Sequence, residues 1–228
     1  LFEATHQPLS KVRISGGGRC NVTNQCFDPS ELIKNYPRGS RELRGPFSRF
    51  QPRDTIDWFK AHGVQLKAEE DGRMFPTTDS SETIVNCLLE TAQKSGVKIR
   101  TGARVEAIQL IAQEDASQIF EITYGKGIKE RFDRVLLATG SNTRGYDFAG
   151  NLGHRIIPPV PSLFTFEITD RRVDGLAGLS FENVILSLTD TGKKNLEQTG
   201  PMLITHWGLS GPAVLKLSAW GARILHDN

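Results

Sequence analysis

Apolar side chains recur at helical spacing in the first half of the chain. Ile56 and Phe59, three residues apart, predict an amphipathic helix over 53–62. A longer helix is predicted to begin at Asp79, where an acid three residues further on completes a capping box, and to end at Gly96. Each segment has polar residues opposite its apolar positions, so each predicts a helix with one buried face.

Apolar runs and alternating patterns predict strands around the longer helix. Residues 97–99 predict one strand, and 105–111, 119–124 and 128–132 predict a small antiparallel meander. Residues 135–140 are nearly all apolar and end on glycine, as is typical of a short strand buried on both faces. This order of elements predicts an α/β sheet that carries an additional β unit.

Prolines separate the last third of the chain from the rest. Three of the four residues at 158–161 are proline, which interrupts regular structure. β-like patterns follow at 163–168, 184–188 and 202–205, and Gly-Pro at 211–212 opens an apolar helical pattern. We therefore predict two domains, one over 1–157 with the meander at about 103–133, and one over 158–228 that is rich in strands and ends in a helix.

Composition restricts the class of protein. The 228 residues carry a net charge of +2, with 38% hydrophobic and 24% charged side chains, which is ordinary for a folded protein. No apolar run approaches the roughly 20 residues that span a bilayer, and no signal peptide is recognisable, so we expect a cytoplasmic protein that does not use a membrane. Three irregularly spaced cysteines predict neither a disulfide framework nor a metal site.

A run of three glycines is the sharpest local feature. Backbone N–H groups at Gly16, Gly17 and Gly18 can approach an anion closely, and Arg19 could add a charge-assisted bond, which indicates a phosphate-binding loop. The alternative is an ordinary surface turn. The start resembles a dinucleotide-binding fingerprint, but Asn21 stands where the third glycine belongs and no helical pattern follows.

The first residues suggest a strand that begins before the chain does. Leu1 and Phe2 are too few for a strand of about five or six residues, and the chain does not start with methionine. An acid such as Glu3 at the end of the second strand of a dinucleotide fold binds ribose hydroxyls, whereas an isolated surface glutamate is the alternative. We therefore expect an internal fragment of a longer protein.

Two further features allow an alternative chemistry. His206, beside Trp207 and just before a helix, could act as an acid or base or could be purely structural. A basic stretch interleaved with phenylalanines could contact RNA, although a solvated and partly salt-bridged face is the commoner explanation and the overall charge disfavours a nucleic-acid binder. Its arginines are Arg38, Arg41, Arg44, Arg49 and Arg53.

Several of these motifs together resemble a known family. The chain is similar to the bacterial flavoprotein family of NAD(P)/FAD-dependent oxidoreductases that includes aminoacetone oxidase and a bile-acid-pathway reductase. The resemblance covers almost the whole chain, and the Ser-Gly-Gly-Gly-Arg-Cys-Asn string at 15–21 is its most specific part. The matching segments are 11–24, 36–39, 72–76, 138–140 and 205–218.

The resemblance implies a two-dinucleotide-binding-type, Rossmann-like FAD domain that lacks its first strand, turn and helix, with an inserted smaller β-rich domain. Glu3 would bind the adenosine ribose, and Val105 would meet the adenine through its backbone. The glycine loop and the segment before the second domain would lie along the cofactor. The residues implied there are Lys11, Ser15, Gly16, Gly17, Gly18, Arg19, Cys20, Asn21, Ala138, Thr139 and Gly140.

The resemblance also implies redox chemistry on a small-molecule substrate. We expect an FAD-dependent oxidoreductase that transfers hydride between NAD(P)H or an organic substrate and an acceptor through the bound flavin, with NAD(P)H as a candidate co-substrate. We expect the isolated chain to be inactive and to bind FAD weakly or not at all. An oxygen-using amine oxidase of the aminoacetone type is one alternative. A non-catalytic anion- or RNA-binding module based on 38–53 is another, and the oligomeric state is left open.

Overall fold

The computed structural model describes residues 1–113, 118–189 and 195–227. The chain divides into two compact units, Leu1–Ile156 and Ile157–Asn228. The helices are α1 (Ser10–Ile14), α2 (Pro29–Leu32), α3 (Ser40–Arg49), α4 (Pro52–Ala61), α5 (Ser81–Lys94), α6 (Thr143–Asn151) and α7 (Pro212–Asp227). The strands are β1 (Thr23–Asn24), β2 (Leu66–Ala68), β3 (Arg73–Pro76), β4 (Val105–Ala112), β5 (Gln118–Tyr124), β6 (Ile128–Phe132), β7 (Phe166–Glu167), β8 (Ser180–Leu188), β9 (Leu196–Thr205) and β10 (Gly208–Ser210).

Helices α4 and α5 confirm the two helical patterns of the first half, but the N-cap of α5 lies one residue later than predicted. Ser80 is its N-cap, with an extended backbone and an Oγ that accepts a hydrogen bond from Glu82 N at 3.3 Å. Asp79 has a φ of 53°, and this left-handed conformation is not the extended one that an N-cap adopts. The prediction of Asp79 as the cap is therefore wrong, and its carboxylate instead pairs with Lys67.

A buried core packs α4 and α5 against the segment that follows the three glycines. Cys20, Phe59, Val64, Ile84 and Cys87 form one buried cluster. A three-stranded sheet in the order β1-β3-β2 lies beside it, and Phe75 of β3 is completely buried. The chain after the glycine loop is thus anchored by apolar packing.

The meander forms as predicted. Strands β4, β5 and β6 pair antiparallel in sequence order. Ile108 and Ile122 on one face of the sheet join Tyr124 and Phe148 of α6 in a second buried cluster. At the end of the sheet Tyr124 Oη donates a 2.6 Å hydrogen bond to Glu130 Oε1, which also pairs with Arg100.

The first residues run parallel to the segment after α5. Phe2 and Arg100 form a parallel bridge. Leu1 N donates to Lys98 O at 2.8 Å and Glu3 N donates to Arg100 O at 2.9 Å. The prediction of a strand at 97–99 is therefore wrong in its bounds, because the segment pairs with the first residues through a parallel bridge at Arg100. Backbone hydrogen bonds then continue as far as Ala103.

The prediction of a doubly buried strand at 135–140 is also wrong. The segment has no ladder partner among the described residues, and Leu136 is 89% exposed. Val135 and Leu137 pack against the meander cluster, so that only alternate side chains are covered. A uniform apolar run shows that burial on both faces is possible, but burial also needs a neighbour on each side.

In its described residues, the second unit contains a four-stranded antiparallel sheet and the α-helix α7. Its strand order is β7-β10-β9-β8. Helix α7, which the Gly-Pro motif predicted, buries Val214, Leu217 and Ser218. Ser218 Oγ accepts a 2.9 Å hydrogen bond from Phe164 N, which ties the segment before β7 to the helix.

Candidate cofactor-binding site

The three glycines form an exposed turn directly after α1. Gly16, Gly17 and Gly18 have φ values of 56°, 68° and 85°, the left-handed region that favours glycine. A Cβ at Gly16 would lie 2.8 Å from Asn21 N and 2.8 Å from a ring carbon of Phe75, whereas a Cβ at Gly17 would meet nothing within 4 Å. Gly16 therefore allows a close approach inside the protein, while Gly17 offers its backbone to solvent.

Helix α1 is fixed to the start of α5. The buried Ser81 Oγ at the start of α5 donates a 2.8 Å hydrogen bond to Arg13 O, and Arg13 pairs with Glu82. Ser15 Oγ bonds Val12 O at 2.9 Å at the end of α1. The glycine turn is thus presented by a helix that is fixed to α5.

Arg19 and Cys20 both contact the rest of the protein, Arg19 at the surface and Cys20 in the core. The Arg19 guanidinium stacks over the Phe75 ring at 4.0 Å and hydrogen bonds to Glu69, which raises the pKa of Arg19 further, and it lies 3.6 Å from Asp79. Cys20 is 6% exposed within the core cluster. The structure therefore places these two residues as anchors of the loop and leaves Asn21 exposed with the glycines.

Glu3 keeps an ionised carboxylate at the end of the extended first segment. Its Oε1 accepts 2.7 Å hydrogen bonds from Thr5 N and Thr5 Oγ1. These two bonds hold the pKa of Glu3 below its ordinary value, and the bond from the Thr5 backbone N–H has the larger effect. The side chain is half-buried and remains able to accept a further hydrogen bond.

Two segments far apart in sequence meet at Lys11. A Cβ at Gly140 would lie 3.4 Å from Lys11 Nζ, so the ammonium group sits against the backbone of 138–140. Thr139 in turn packs on Gly145 of α6. The structure thus brings the Ala138, Thr139 and Gly140 backbone next to a positive charge on the helix that carries the glycine loop.

The start of α6 also contacts Val105. Arg144 Nη1 donates a 3.4 Å hydrogen bond to Val105 O, and Ala103 N, two residues before Val105, donates to Glu3 O at 2.9 Å. Contacts therefore lead from Glu3 through the start of β4 and α6 to the 138–140 segment, and from there to Lys11. Sequence separation alone could not have shown this adjacency.

His206 lies in the second unit. His206 and Trp207 form the exposed turn between β9 and β10, where Thr205 pairs with Gly208. Trp207 is 58% exposed. No hydrogen bond joins the imidazole to another group within the described residues, so the side chain is free to meet a ligand.

One cleft escaped the sequence analysis. It has a volume of about 360 Å³, and its lining includes the aromatic side chains Tyr36, Phe47 and Phe50 and the amides Asn21 and Asn24. The sequence identifies Phe47 and Phe50 as aromatic residues interleaved with the basic stretch, but it does not predict that they line a cleft. The spacing of these aromatic residues within and around α3 was the feature of the sequence that could have indicated the cleft.

The polar groups at this site suit a dinucleotide better than a metal ion. No group of His, Cys, Asp and Glu in 1–113, 118–189 and 195–227 could hold a metal. Exposed glycine backbone, an ammonium group beside another glycine and a carboxylate that accepts hydrogen bonds suit phosphate and ribose groups instead. These residues fit FAD. None of the helices described is long and apolar enough to cross a membrane.

Comparisons with known proteins agree with this assignment. Residues 1–214 match the model of the HI0933-like protein Rossmann domain. The chain is 30% identical over its whole length to 3-dehydro-bile acid delta(4,6)-reductase of Clostridium scindens, covering 55% of that protein. It is 28% identical to ribosomal RNA dihydrouridine synthase of Escherichia coli, over 96% of the chain and 54% of that protein. The chain thus spans about half the length of the curated relatives it matches.

Proposed function

Since this chain belongs to the HI0933-like Rossmann-domain family, we propose that it forms the cofactor-binding part of an FAD-dependent oxidoreductase. The observation that carries the proposal is the series of contacts from Glu3 by way of Val105 and Thr139 to Lys11. These residues come from four separate segments, which the fold links by backbone hydrogen bonds and close packing.

Each group has a role that its chemistry suits. The ionised Glu3 would accept hydrogen bonds from ribose hydroxyls, and the Val105 backbone would bond the adenine edge. Lys11 and the exposed backbone of Gly16, Gly17 and Gly18 would neutralise and orient the pyrophosphate. Bound FAD supplies the capacity to accept and donate a hydride.

For the substrate we infer an unsaturated carbonyl compound. The two relatives are named for a delta(4,6)-reductase and a dihydrouridine synthase, and both names denote the addition of hydrogen to a carbon–carbon double bond. NAD(P)H would be the reductant. The exposed imidazole of His206 could then supply or accept a proton at the substrate. An amine oxidase that uses oxygen is the competing function.

The cofactor test uses the protein expressed from its natural coding sequence. Lys11→Met removes one charge-assisted contact, worth about 1.5–3 kcal/mol, and should weaken FAD binding by roughly 10- to 100-fold. Lys94→Met is the matched control, because that exposed side chain pairs with Glu90 on its own helix, α5. Equal flavin content in both variants would remove Lys11 from the site.

The reaction test separates the two activities. Anaerobic oxidation of NAD(P)H should depend on an added enone, followed by the loss of nicotinamide absorbance. Oxygen consumption with primary amines should not exceed the rate without substrate. Amine-dependent oxygen uptake without enone reduction would establish the oxidase instead.

A further inference from the structure

The arginines in and around α3 are exposed positive charges without an acidic partner. None of Arg38, Arg41, Arg44 and Arg49 forms an ion pair with a carboxylate within 1–113, 118–189 and 195–227. The expectation of a partly salt-bridged surface is therefore wrong for these residues in that part of the chain. Because a guanidinium group stays charged at every physiological pH, this segment favours an anionic ligand.

Two of these arginines continue a row that begins at an aromatic ring of the cleft. Phe47 lines the cleft, Arg44 lies three residues before it, and Arg41 lies three residues before Arg44. Residues at this spacing are neighbours on a helix. A rise of about 1.5 Å per residue places the two arginine Cα atoms roughly 4.5 and 9 Å along the axis from that of Phe47. Along the surface of α3, a ring is therefore followed by one charge and then by a second.

The aromatic side chains of the cleft suit a flat ligand. Tyr36 and Phe47 have ring centroids 5.6 Å apart at an interplanar angle of 47°, and Phe50, directly after α3, is 56% exposed. A further ring packed on Phe50 would gain the usual attraction between aromatic groups. The volume of about 360 Å³ is near the lower end of the roughly 300–1,000 Å³ of small-molecule sites. It suits one ring with its sugar rather than a whole dinucleotide.

The amide side chains of the cleft offer hydrogen-bond donors. Asn24 and Gln51 both belong to its lining. Asn24 Oδ1 accepts a 2.9 Å hydrogen bond from Cys26 N, and Gln51 Oε1 accepts one of 3.1 Å from Arg53 N. Each amide thus uses its oxygen within the protein and has an NH2 group to donate. A ring that carries a carbonyl or carboxamide oxygen would match these donors.

A nicotinamide dinucleotide phosphate has these features in the same order. Its ring carries a carboxamide, its pyrophosphate follows one ribose further on, and its 2′-phosphate lies on the adenosine ribose beyond. Arginine is the side chain that accommodates this 2′-phosphate in NADP-dependent proteins. An acidic peptide would use the charges without the rings, and FAD has no third phosphate for the second arginine.

We propose that the cleft and α3 bind NADPH, with the nicotinamide ring against Phe50, the pyrophosphate on Arg44 and the 2′-phosphate on Arg41. The proposal rests on the proposed function, which needs a nucleotide reductant, and adds to it the place of binding and a preference for NADPH over NADH. Asn21 lines the cleft, and its backbone nitrogen would lie 2.8 Å from a Cβ at Gly16. The nicotinamide ring would thus lie beside the loop to which FAD binding is assigned.

Binding is measured by titration calorimetry with NADP⁺ and NAD⁺ on the flavin-containing protein expressed from its natural coding sequence. Neither oxidised nucleotide reduces the flavin, so the titration reports binding alone. Arg41→Gln should weaken NADP⁺ binding by roughly 10- to 100-fold, the effect of one charge-assisted contact, and should leave NAD⁺ binding nearly unchanged. Arg44→Gln should weaken the binding of both nucleotides by the same factor, because both carry the pyrophosphate.

Phe50→Ala should weaken the binding of both nucleotides by roughly 2- to 10-fold, because it removes one aromatic contact. Phe50→Tyr keeps the ring and should bind as the unmodified protein does. Arg155→Gln is the matched control for the two charge changes, since Arg155 is another exposed arginine of the first unit and lies outside α3. It should leave both affinities nearly unchanged. The melting temperature and the flavin content should be the same in all variants, since the replaced side chains are exposed.

Four results would overturn the proposal. The first is no binding of NADP⁺ by the unmodified protein, and the second is an equal loss for NADP⁺ and NAD⁺ in Arg41→Gln. The third is an unchanged affinity in Phe50→Ala. The fourth is a loss of flavin in Phe50→Ala, which would assign the cleft to the flavin itself.

The measurements separate this site from the proposed function. The expected binding pattern in a protein that does not reduce an enone would support the NADPH site and refute the proposed reaction. NADPH-dependent enone reduction that is indifferent to Arg41→Gln and Phe50→Ala would support the reaction and overturn the site.

Discussion

Thr139 packs so closely on Gly145 that a Cβ at position 145 would lie 1.8 Å from Thr139 Oγ1. Gly145 lies in the first turns of α6, and Asn142 N donates a 3.3 Å hydrogen bond to Thr139 O just before that helix. The position of the 138–140 segment, and with it the contact between Gly140 and Lys11, therefore depends on the absence of a side chain at 145.

Replacement of this glycine should displace the segment. Gly145→Ala would ordinarily favour a helix by about 1 kcal/mol, but here the clash with Thr139 should lower the free energy of unfolding by roughly 1–3 kcal/mol. Flavin content should fall in parallel. Gly150→Ala in the same helix is the control, because its Cβ would come no closer than 4.0 Å to Ile156. Equal effects of the two variants in thermal unfolding would contradict the prediction.

The glycine loop allows a paired comparison of neighbouring residues. Gly16→Ala and Gly17→Ala both place an alanine at positive φ, at a cost of about 1–2 kcal/mol. Only Gly16→Ala adds a clash, with the Asn21 backbone and the Phe75 ring. We expect Gly16→Ala to lose more stability in denaturant unfolding and to retain less flavin than Gly17→Ala. The reverse order would show that the exposed backbone of Gly17 matters more than the packing of Gly16.

The Arg100–Glu130–Tyr124 cluster predicts a loss of stability in acid. The hydrogen bond from Arg100, followed by that from Tyr124, holds the pKa of Glu130 below its ordinary value. Its contribution is therefore complete above the unfolded pKa of about 4.3 and is lost as the pH falls through the lower folded pKa. Glu130→Gln should lower the melting temperature near pH 7, and the difference should vanish in strong acid. Glu90→Gln, at an exposed i,i+4 pair, is expected to change little at any pH. A constant difference from pH 7 to pH 3 would show that the charge of Glu130 does not matter.

His206 permits a test of catalysis with little risk to folding. Because the imidazole lies in an exposed turn, His206→Ala should leave the melting temperature and the flavin content nearly unchanged. If it transfers a proton, enone reduction should fall by about 10²- to 10⁴-fold, the range of general acid–base catalysis. His154→Ala, at another exposed histidine, serves as the control. Full activity in His206→Ala would remove the residue from the reaction.

The elements that depend on local pattern were predictable. Ile56 and Phe59 identified α4, and the alternation around Ile108 and Ile122 identified the meander. Both patterns are visible in the sequence, because apolar residues recur about every 3.6 residues in a helix and every 2 residues in a strand. Residues 135–140 show the limit of this reasoning. Their composition permits burial on both faces, but the exposure of Leu136 depends on which neighbours are present.

Side-chain partners across long distances were not predictable. Arg19 suits an anion by chemistry, yet it faces Glu69, fifty residues away in sequence, and the Phe75 ring. The contact of Lys11 with Gly140 likewise depends on how α1 packs on α5. The resemblance to a flavoprotein family indicated which residues belong together, and the contacts show which of them hold the loop and which are exposed.

Asn21 has a backbone nitrogen against Gly16 and also lines the aromatic cleft. A Cβ at Gly16 would lie 2.8 Å from Asn21 N, so the Asn21 backbone lies close to the glycine loop. A ligand in the cleft that moves Asn21 would therefore alter the affinity of the loop, and such coupling would be reciprocal: whatever factor an occupant of the cleft imposes on the affinity of the loop, a ligand on the loop imposes on the cleft. Asn21 would thereby make the cleft a sensor of whether the cofactor is in place.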